Sequence, residues 1–236
     1  KEISEFYSGE HGEEQSMLNR YRKLSVEKEK GFLADPLIGT ILDDKYKITG
    51  IVGTGNIATV YKAIQLSTGQ TVAIKTIRNK GIEEIWRFNL EIESMQKMDQ
   101  RNLVSFIDCI KQDRGRIFLV MELVSGICLN DILKIHGPIK DEETIWGVLD
   151  QICDALIHAH SKKIIHRDLK TGNVVLSKHV DSPLLVKVLD FGLAKHKNST
   201  ANITMHGKTL GSPLYMSPEQ CRGEEPTIQS AIYSLG

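Results

Sequence analysis

The chain has 236 residues, 41% of them hydrophobic, enough to bury one large core or two modest ones at the upper end of single-domain length. Thirty basic residues balance thirty acidic ones, which excludes a net field that would draw the protein to nucleic acid or to an anionic membrane surface. One domain in two lobes is expected, with partners selected by local surface chemistry. Cysteines 109, 128, 153 and 221 form neither a CxxC pair nor a His/Cys metal spacing, which fits four idle thiols in a reducing compartment. No apolar run approaches the ~18 residues of a membrane span. The start at Lys1-Glu2-Ile3 has no signal-peptide design, so the expected location is cytoplasmic; it also lacks an initiating Met, which suggests a fragment and leaves an anchor outside it open.

Residues 1–34 are rich in Glu, Lys, Arg and Ser, with a weak helical stripe at Met17, Tyr21 and Leu24. Either a partner-binding helix or a solvated extension fits; the second is the commoner outcome for such composition. An extension or linker over 1–45 follows. From Tyr46 the chain turns to β-branched runs at 46–52, 59–66 and 71–77, read as an antiparallel meander. Residues 83–98 carry Ile85, Phe88, Ile92, Met95 and Met98 at helical spacing. Runs at 103–110 and 116–121, joined through 112–115, complete five strands and a helix.

Beyond Gly126 the signals become helical. A short helix over 130–136 stops at Gly137-Pro138, and Asp141-Glu142-Glu143 loads the first turn of a long helix ending near His160. Ile145, Val148, Leu149, Ile152, Leu156 and Ala159 mark its buried side. Runs at 174–176 and 184–189 read as a small ribbon around the turn 181–183, and 195–210, rich in Ser, Thr, Asn and Lys, reads as a mobile loop.

Several stretches carry chemistry. Gly53-Thr54-Gly55 lies between the first two long strands; glycines there let backbone N–H groups approach a phosphate, although an ordinary glycine hairpin has the same spelling. Lys75, in Val72-Ala73-Ile74-Lys75, falls on a strand where a buried ammonium needs a partner. Glu91 on the next helix is the candidate, against the alternative of two merely solvated charges. His166-Arg167-Asp168-Leu169-Lys170-Thr171-Gly172-Asn173, with Asp190-Phe191-Gly192 further on, places carboxylates, an amide and a lysine on two turns. That combination suits metal and phosphate.

Taken in order, GxGxxAxV at 53–60, VAIK at 72–75, Glu91, HRDLKxxN at 166–173, DFG at 190–192 and SPE at 217–219 resemble a eukaryotic-type (Hanks-type) protein Ser/Thr kinase, with details around 217–220 and 233–236 that look like the bacterial branch. The resemblance covers residues 46–236. It implies an α+β, two-lobed kinase fold: a first lobe with hinge over 46–124, built on a five-stranded antiparallel sheet plus a helix, and a mainly helical, incomplete second lobe over 125–236. It also implies ATP and Mg²⁺ as cofactors and a protein partner offering a Ser or Thr hydroxyl.

By the same resemblance, Asp168 takes the acceptor's proton, Lys170 neutralises charge, and Lys75, fixed by Glu91, grips the phosphates. Asn173 and Asp190 hold metal. Gly53, Thr54, Gly55, Val60, Ala73, Met121, Glu122, Val124 and Val175 surround the nucleotide. Arg167 implies a phosphate pocket, with Thr200, Thr204 and Thr209 as candidate acceptors. Ala231 stands where the family places an aspartate that braces the catalytic loop, and Glu219 lacks an arginine partner, because the family's second lobe continues past residue 236. A kinase-like interaction module with poor turnover is the rival expectation, and a small-molecule kinase a weaker third.

Overall fold

The computed structural model describes residues 35–55, 58–77, 81–112, 115–179, 182–191 and 213–236. The weak helical stripe of residues 1–34, the loop over 195–210, the threonines at 200, 204 and 209, and Gly192 lie outside the described residues.

The first lobe is a six-stranded antiparallel sheet in the order β1-β2-β3-β4-β6-β5. Its strands are β1 (Ile41–Leu42), β2 (Tyr46–Thr54), β3 (Ala58–Gln65), β4 (Thr71–Ile77), β5 (Phe106–Gln112) and β6 (Arg116–Glu122). The five strands expected from sequence are therefore six. The extra one is a two-residue edge paired with the start of β2 through Ile41↔Lys47 and Leu42↔Tyr46, too short to show a period of two. The preceding residues also fold onto the sheet: Leu37 and Ile38 pack on its core, and Tyr61 Oη donates to Asp35 at 2.9 Å.

β2, β3 and β4 form the expected meander, whereas β6 inserts between β4 and β5. The expected strand at 103–110 starts only at Phe106; Leu103 instead makes an isolated bridge to Val188. The sheet curls until Tyr46 Oη on β2 donates to Asp108 on β5 at 3.2 Å. Inside that curl Tyr46, Ile48, Val72, Ile74, Phe118 and Val120 make one core. Alternation then turns Ala73 and Lys75 of β4 to the opposite face.

α1 (Ile82–Gln96) lies against that opposite face. Phe88, Ile92 and Met95 bury its apolar stripe, and Glu91 shares the stripe at only 4% exposure. A second core runs from this helix into the other lobe, through Val148, Ile152 and Leu156 of α3 (Glu142–Ser161) to Leu169, Val186, Phe191 and Ala231. α3 starts where its acidic first turn predicts: Asp141 caps it, accepting from the Thr144 N–H at 2.8 Å.

β7 (Ile127–Cys128), β8 (Val174–His179) and β9 (Ser182–Val188) make a small antiparallel sheet under the cleft, one strand more than the expected ribbon. Gly126 permits the added strand. A Cβ there would collide with the Leu176 carbonyl and lie 2.7 Å from Val175 Cγ1, so a side chain would push β7 away from β8. α2 (Leu129–His136) follows β7 and ends at Gly137, whose φ of +76° suits glycine. Two short helices, α4 (Pro218–Cys221) and α5 (Ile228–Leu235), close the described chain.

Candidate active site

Lys75 is the centre of the cleft. Its position on β4 turns the side chain away from the curled core and toward α1, where Glu91 Oε1 lies 2.6 Å from Nζ; Asp190 Oδ1, at the end of β9, is 2.9 Å away. The pairing expected from sequence is therefore present, and a third residue joins it. Burial pulls the Lys75 ammonium down, but Glu91 and then Asp190 more than offset this and hold its pKa above the ordinary lysine value. Burial pushes the Glu91 carboxyl up, with Lys75 opposing. The 2.6 Å contact with an ammonium held by two acids favours the ion pair, so Glu91 is assigned as the carboxylate at neutral pH. Lys75 holds Asp190 below the ordinary aspartate range, against the effect of burial. That carboxylate still has 45% of its side-chain surface exposed, an anion presented to the cleft.

Beside this triad lies a cavity of about 260 Å³ with predominantly apolar walls. Of the residues expected around a nucleotide, Gly53, Val60, Ala73, Met121, Glu122, Val124 and Val175 line it, together with Glu91 and Asp190. Val60 and Ala73 come from the sheet above and Val175 from β8 below. Thr54 and Gly55 do not line it; they sit at the β2–β3 tip, where the Gly55 N–H donates to the Ala58 carbonyl at 2.9 Å. Lys75 reaches the cavity only through its acidic partners. Neither Gly53 nor Gly55 has a positive φ, and a Cβ on Gly53 would meet nothing within 4 Å. What glycine provides there is uncovered backbone. Sequence reasoning missed Val52, Met95, Leu123 and Val188 as lining residues. They read as ordinary strand, helix or loop positions, and only the folding of these distant segments around one cavity makes them walls.

Glu122 has two tasks that the sequence did not separate. Its N–H donates to the Ser105 carbonyl at 3.0 Å, so its carbonyl is the backbone group left for a ligand. Its carboxylate receives Lys187 Nζ at 2.8 Å, and that ammonium also donates to the Leu103 carbonyl at 3.1 Å. Lys187 is only 7% exposed. It fastens β9 to the strand that leads out of the first lobe.

The turn over 166–173 arranges the remaining groups. His166 is fully buried, its ring edge-on to Phe191 at 4.5 Å between centroids. Burial keeps its imidazole pKa low. In the neutral ring, Nε2–H donates to the Leu189 carbonyl at 2.9 Å. Lys170 Nζ lies 2.6 Å from Asp168 Oδ2. Asn173 Nδ2 donates to the Asp168 carbonyl at 2.8 Å, so the amide oxygen is the end left for a cation. Among the described residues no cluster of three or more His, Cys, Asp or Glu side chains forms a metal cage. A half-exposed carboxylate on the cavity wall and the remaining amide oxygen of Asn173 are the hard oxygen donors that suit Mg²⁺, which takes one or two protein ligands and completes its shell with phosphate and water. The residues present therefore fit the implied metal.

Ala231 provides no brace to this turn. It is 2% exposed and packed in the shared core. Glu219, expected to lack the family's arginine partner, accepts a hydrogen bond from the Ser230 hydroxyl, which holds its carboxyl below the ordinary range.

This constellation has known counterparts. The family description "Protein kinase domain" matches residues 46–236. The chain belongs to the protein kinase family. It is 33% identical over 208 residues to a serine/threonine-protein kinase, pkn3, of Myxococcus xanthus, covering 86% of this chain and 38% of that protein. It is 37% identical over 203 residues to the serine/threonine-protein kinase PrkC of Bacillus subtilis, covering 85% and 30%. Against the serine/threonine-protein kinase PknL of Mycobacterium tuberculosis it is 35% identical over 205 residues, covering 86% and 50%. The chain thus spans 30% to 50% of the length of these bacterial relatives. Among the described residues no helix is long and apolar enough to cross a membrane.

Proposed function

We propose that this kinase domain transfers the γ-phosphoryl group of ATP, with Mg²⁺, to serine or threonine hydroxyls of a protein substrate. The observation that carries this reading is the Lys75 ammonium held between Glu91 and Asp190 at the side of an apolar cavity. A cation fixed by two acids beside a flat apolar slot suits a molecule with a phosphate chain at one end and an aromatic base at the other.

Val60 and Ala73 cover the base from above and Val175 from below; Met121 closes the back, and the backbone of Glu122 and Val124 addresses the polar edge. Lys75 holds the phosphates. Asp190 and Asn173 are the residues for Mg²⁺, which supplies charge neutralisation to the phosphate oxygens when bound. At the other end Asp168 orients the acceptor hydroxyl and takes its proton as the oxygen–phosphorus bond forms and the γ-phosphoryl leaves its bridging oxygen. Lys170, beside Asp168, offsets the charge on the moving group. Little covalent work falls to the protein; positioning and charge do most of it. In this reading residues 46–124 hold the nucleotide and residues 125–236 present the acceptor, with residues 35–45 folded onto the first lobe's sheet.

A second reading, a kinase-like interaction module with little turnover, draws on Ala231, which offers no acceptor to the catalytic turn. Nucleotide titrations and variants separate the two. The kinase reading expects ATP to bind more tightly with Mg²⁺ than without, the metal-dependent part vanishing in Asp190→Asn, and transfer to protein that is absent in Asp168→Asn. Transfer appearing only in Ala231→Asp would favour the module. ATP binding indifferent to Mg²⁺ in the parent protein would count against the proposed metal site.

A further inference from the structure

The turn that aims Asp168 is under backbone strain. Arg167 has a φ of +62°, in the left-handed region that L-residues with long side chains enter at a cost. The Asp168 N–H donates to the His166 carbonyl at 2.8 Å. A bond that spans two residues around a positive-φ centre belongs to the rare, strained hand of the γ-turn. Such a turn persists only where its surroundings over-determine it.

The Arg167 carbonyl and the Asp168 N–H belong to one rigid peptide plane. Its N–H end is fixed on His166, itself anchored by the Leu189 carbonyl and Phe191. Its carbonyl end accepts a hydrogen bond from Gln220 Nε2 at 2.8 Å. The orientation of that amide is set by chemistry. Gln220 Oε1 receives the Ser217 N–H at 3.1 Å and lies 3.2 Å from Ser217 Oγ; a backbone N–H can only donate, so the oxygen faces Ser217 and the NH₂ faces Arg167. Gln220 is 9% exposed and Ser217 fully buried. A second tie joins the same two segments, between Thr171 Oγ1 and Tyr215 Oη at 2.9 Å.

We propose that Gln220 is a positioning residue for phosphoryl transfer: its side-chain amide clamps the Arg167–Asp168 peptide plane and thereby sets the direction of the Asp168 carboxylate. The same amide closes the capping box of α4, so the segment from Pro213 to Cys221 and the catalytic turn are mechanically one unit. The catalytic consequence rests on the kinase reading above; the clamp itself does not.

Glutamate separates the two tasks of Gln220. It has nearly the same shape and serves a capping box as well as glutamine does, yet an ionised carboxylate has no proton for the Arg167 carbonyl. Gln220→Glu therefore removes the clamp and keeps the cap. Ser217→Ala weakens the cap and leaves the Nε2–H donor in place. Two readouts are compared across both variants: amide hydrogen exchange at Asp168 and steady-state kinetics with Mg-ATP and a generic protein substrate.

In Gln220→Glu the Asp168 amide exchanges roughly tenfold faster or more, while core amides such as Val120 are unchanged. Its kcat falls ~10- to 100-fold with KM for ATP within about twofold of the parent. Ser217→Ala loses thermal stability but keeps parental exchange at Asp168 and parental kcat. Parental exchange at Asp168 in folded Gln220→Glu overturns the clamp. A kcat that declines equally in both variants overturns the positioning role. Should the glutamate not fold, Gln220→Met loses clamp and cap together, and its excess over Ser217→Ala reports the clamp. If the parent protein shows no transfer above Asp168→Asn, the kinase reading fails, and the exchange measurement still decides the clamp.

Discussion

Replacing Glu91 by glutamine removes one charge from the triad and almost nothing else. The carboxylate lies 2.6 Å from Lys75 Nζ with 6% of its side-chain surface exposed. At an effective dielectric of ~20, a unit pair at that separation attracts by ~6 kcal/mol, before the cost of taking both charges out of water. Losing one partner of a buried pair typically costs ~3 to 5 kcal/mol. Two features of this site reduce that figure: the amide oxygen of glutamine still accepts a hydrogen bond, and Asp190 still neutralises Lys75 at 2.9 Å. The expected loss is ~2 to 3 kcal/mol, read from urea denaturation of the parent and variant at pH 7.5. Because Lys75 then has Asp190 as its remaining acid, transfer activity falls as well. A variant within ~0.5 kcal/mol of the parent would refute the reasoning, since that is the range of a surface substitution.

Three further outcomes follow from the same geometry. Burial holds the His166 pKa below its ordinary value near 6.5, so as pH falls from 6.5 to that lower value the unfolded chain takes up a proton the folded chain refuses. Stability is lost across that window; the urea midpoint drops between pH 7.5 and 5.5, and it drops less in His166→Asn. Equal drops would assign the effect to other groups, such as His160, whose pKa burial also lowers. Lys187→Met leaves the Leu103 carbonyl and the Glu122 carboxylate without their shared donor, at ~1 to 3 kcal/mol and with a raised KM for ATP; an unchanged KM would detach Lys187 from the nucleotide cavity. Gly126→Ala forces a methyl onto Leu176 and Val175 and costs ~1 to 3 kcal/mol in a thermal melt, whereas a parental melting temperature would show that β7 yields freely.

The parts of this fold that announce themselves in the sequence are those whose pattern repeats. β4 is bounded at Thr71–Ile77, as its β-branched run indicates; α1 buries Phe88, Ile92 and Met95 of its marked stripe with Ile85 half-buried, and α3 buries Val148, Ile152, Leu156 and Ala159 of its own, with Ala155 added and Ile145 and Leu149 half-buried. β1 and β7 have two residues each and cannot display a period. The site was legible where residue type, strand position and helix position agree, as for Lys75 and Glu91, sixteen residues apart. It was illegible where a contact joins distant, chemically ordinary residues. Gln220 and Arg167 are 53 positions apart and Lys187 and Glu122 are 65; nothing local marks either pair. Ala231 was legible in part: its place in the sequence indicated a brace it does not supply, while its burial in the shared core had no local mark.

The central claim is transfer to protein hydroxyls through Asp168. Labelled ATP, Mg²⁺ and a generic protein substrate, incubated with the parent protein and with Asp168→Asn, followed by identification of the labelled amino acid, test it most directly. The account predicts label on serine or threonine with the parent and none above background with the variant. Equal labelling by both proteins, or no labelling by the parent, would contradict it.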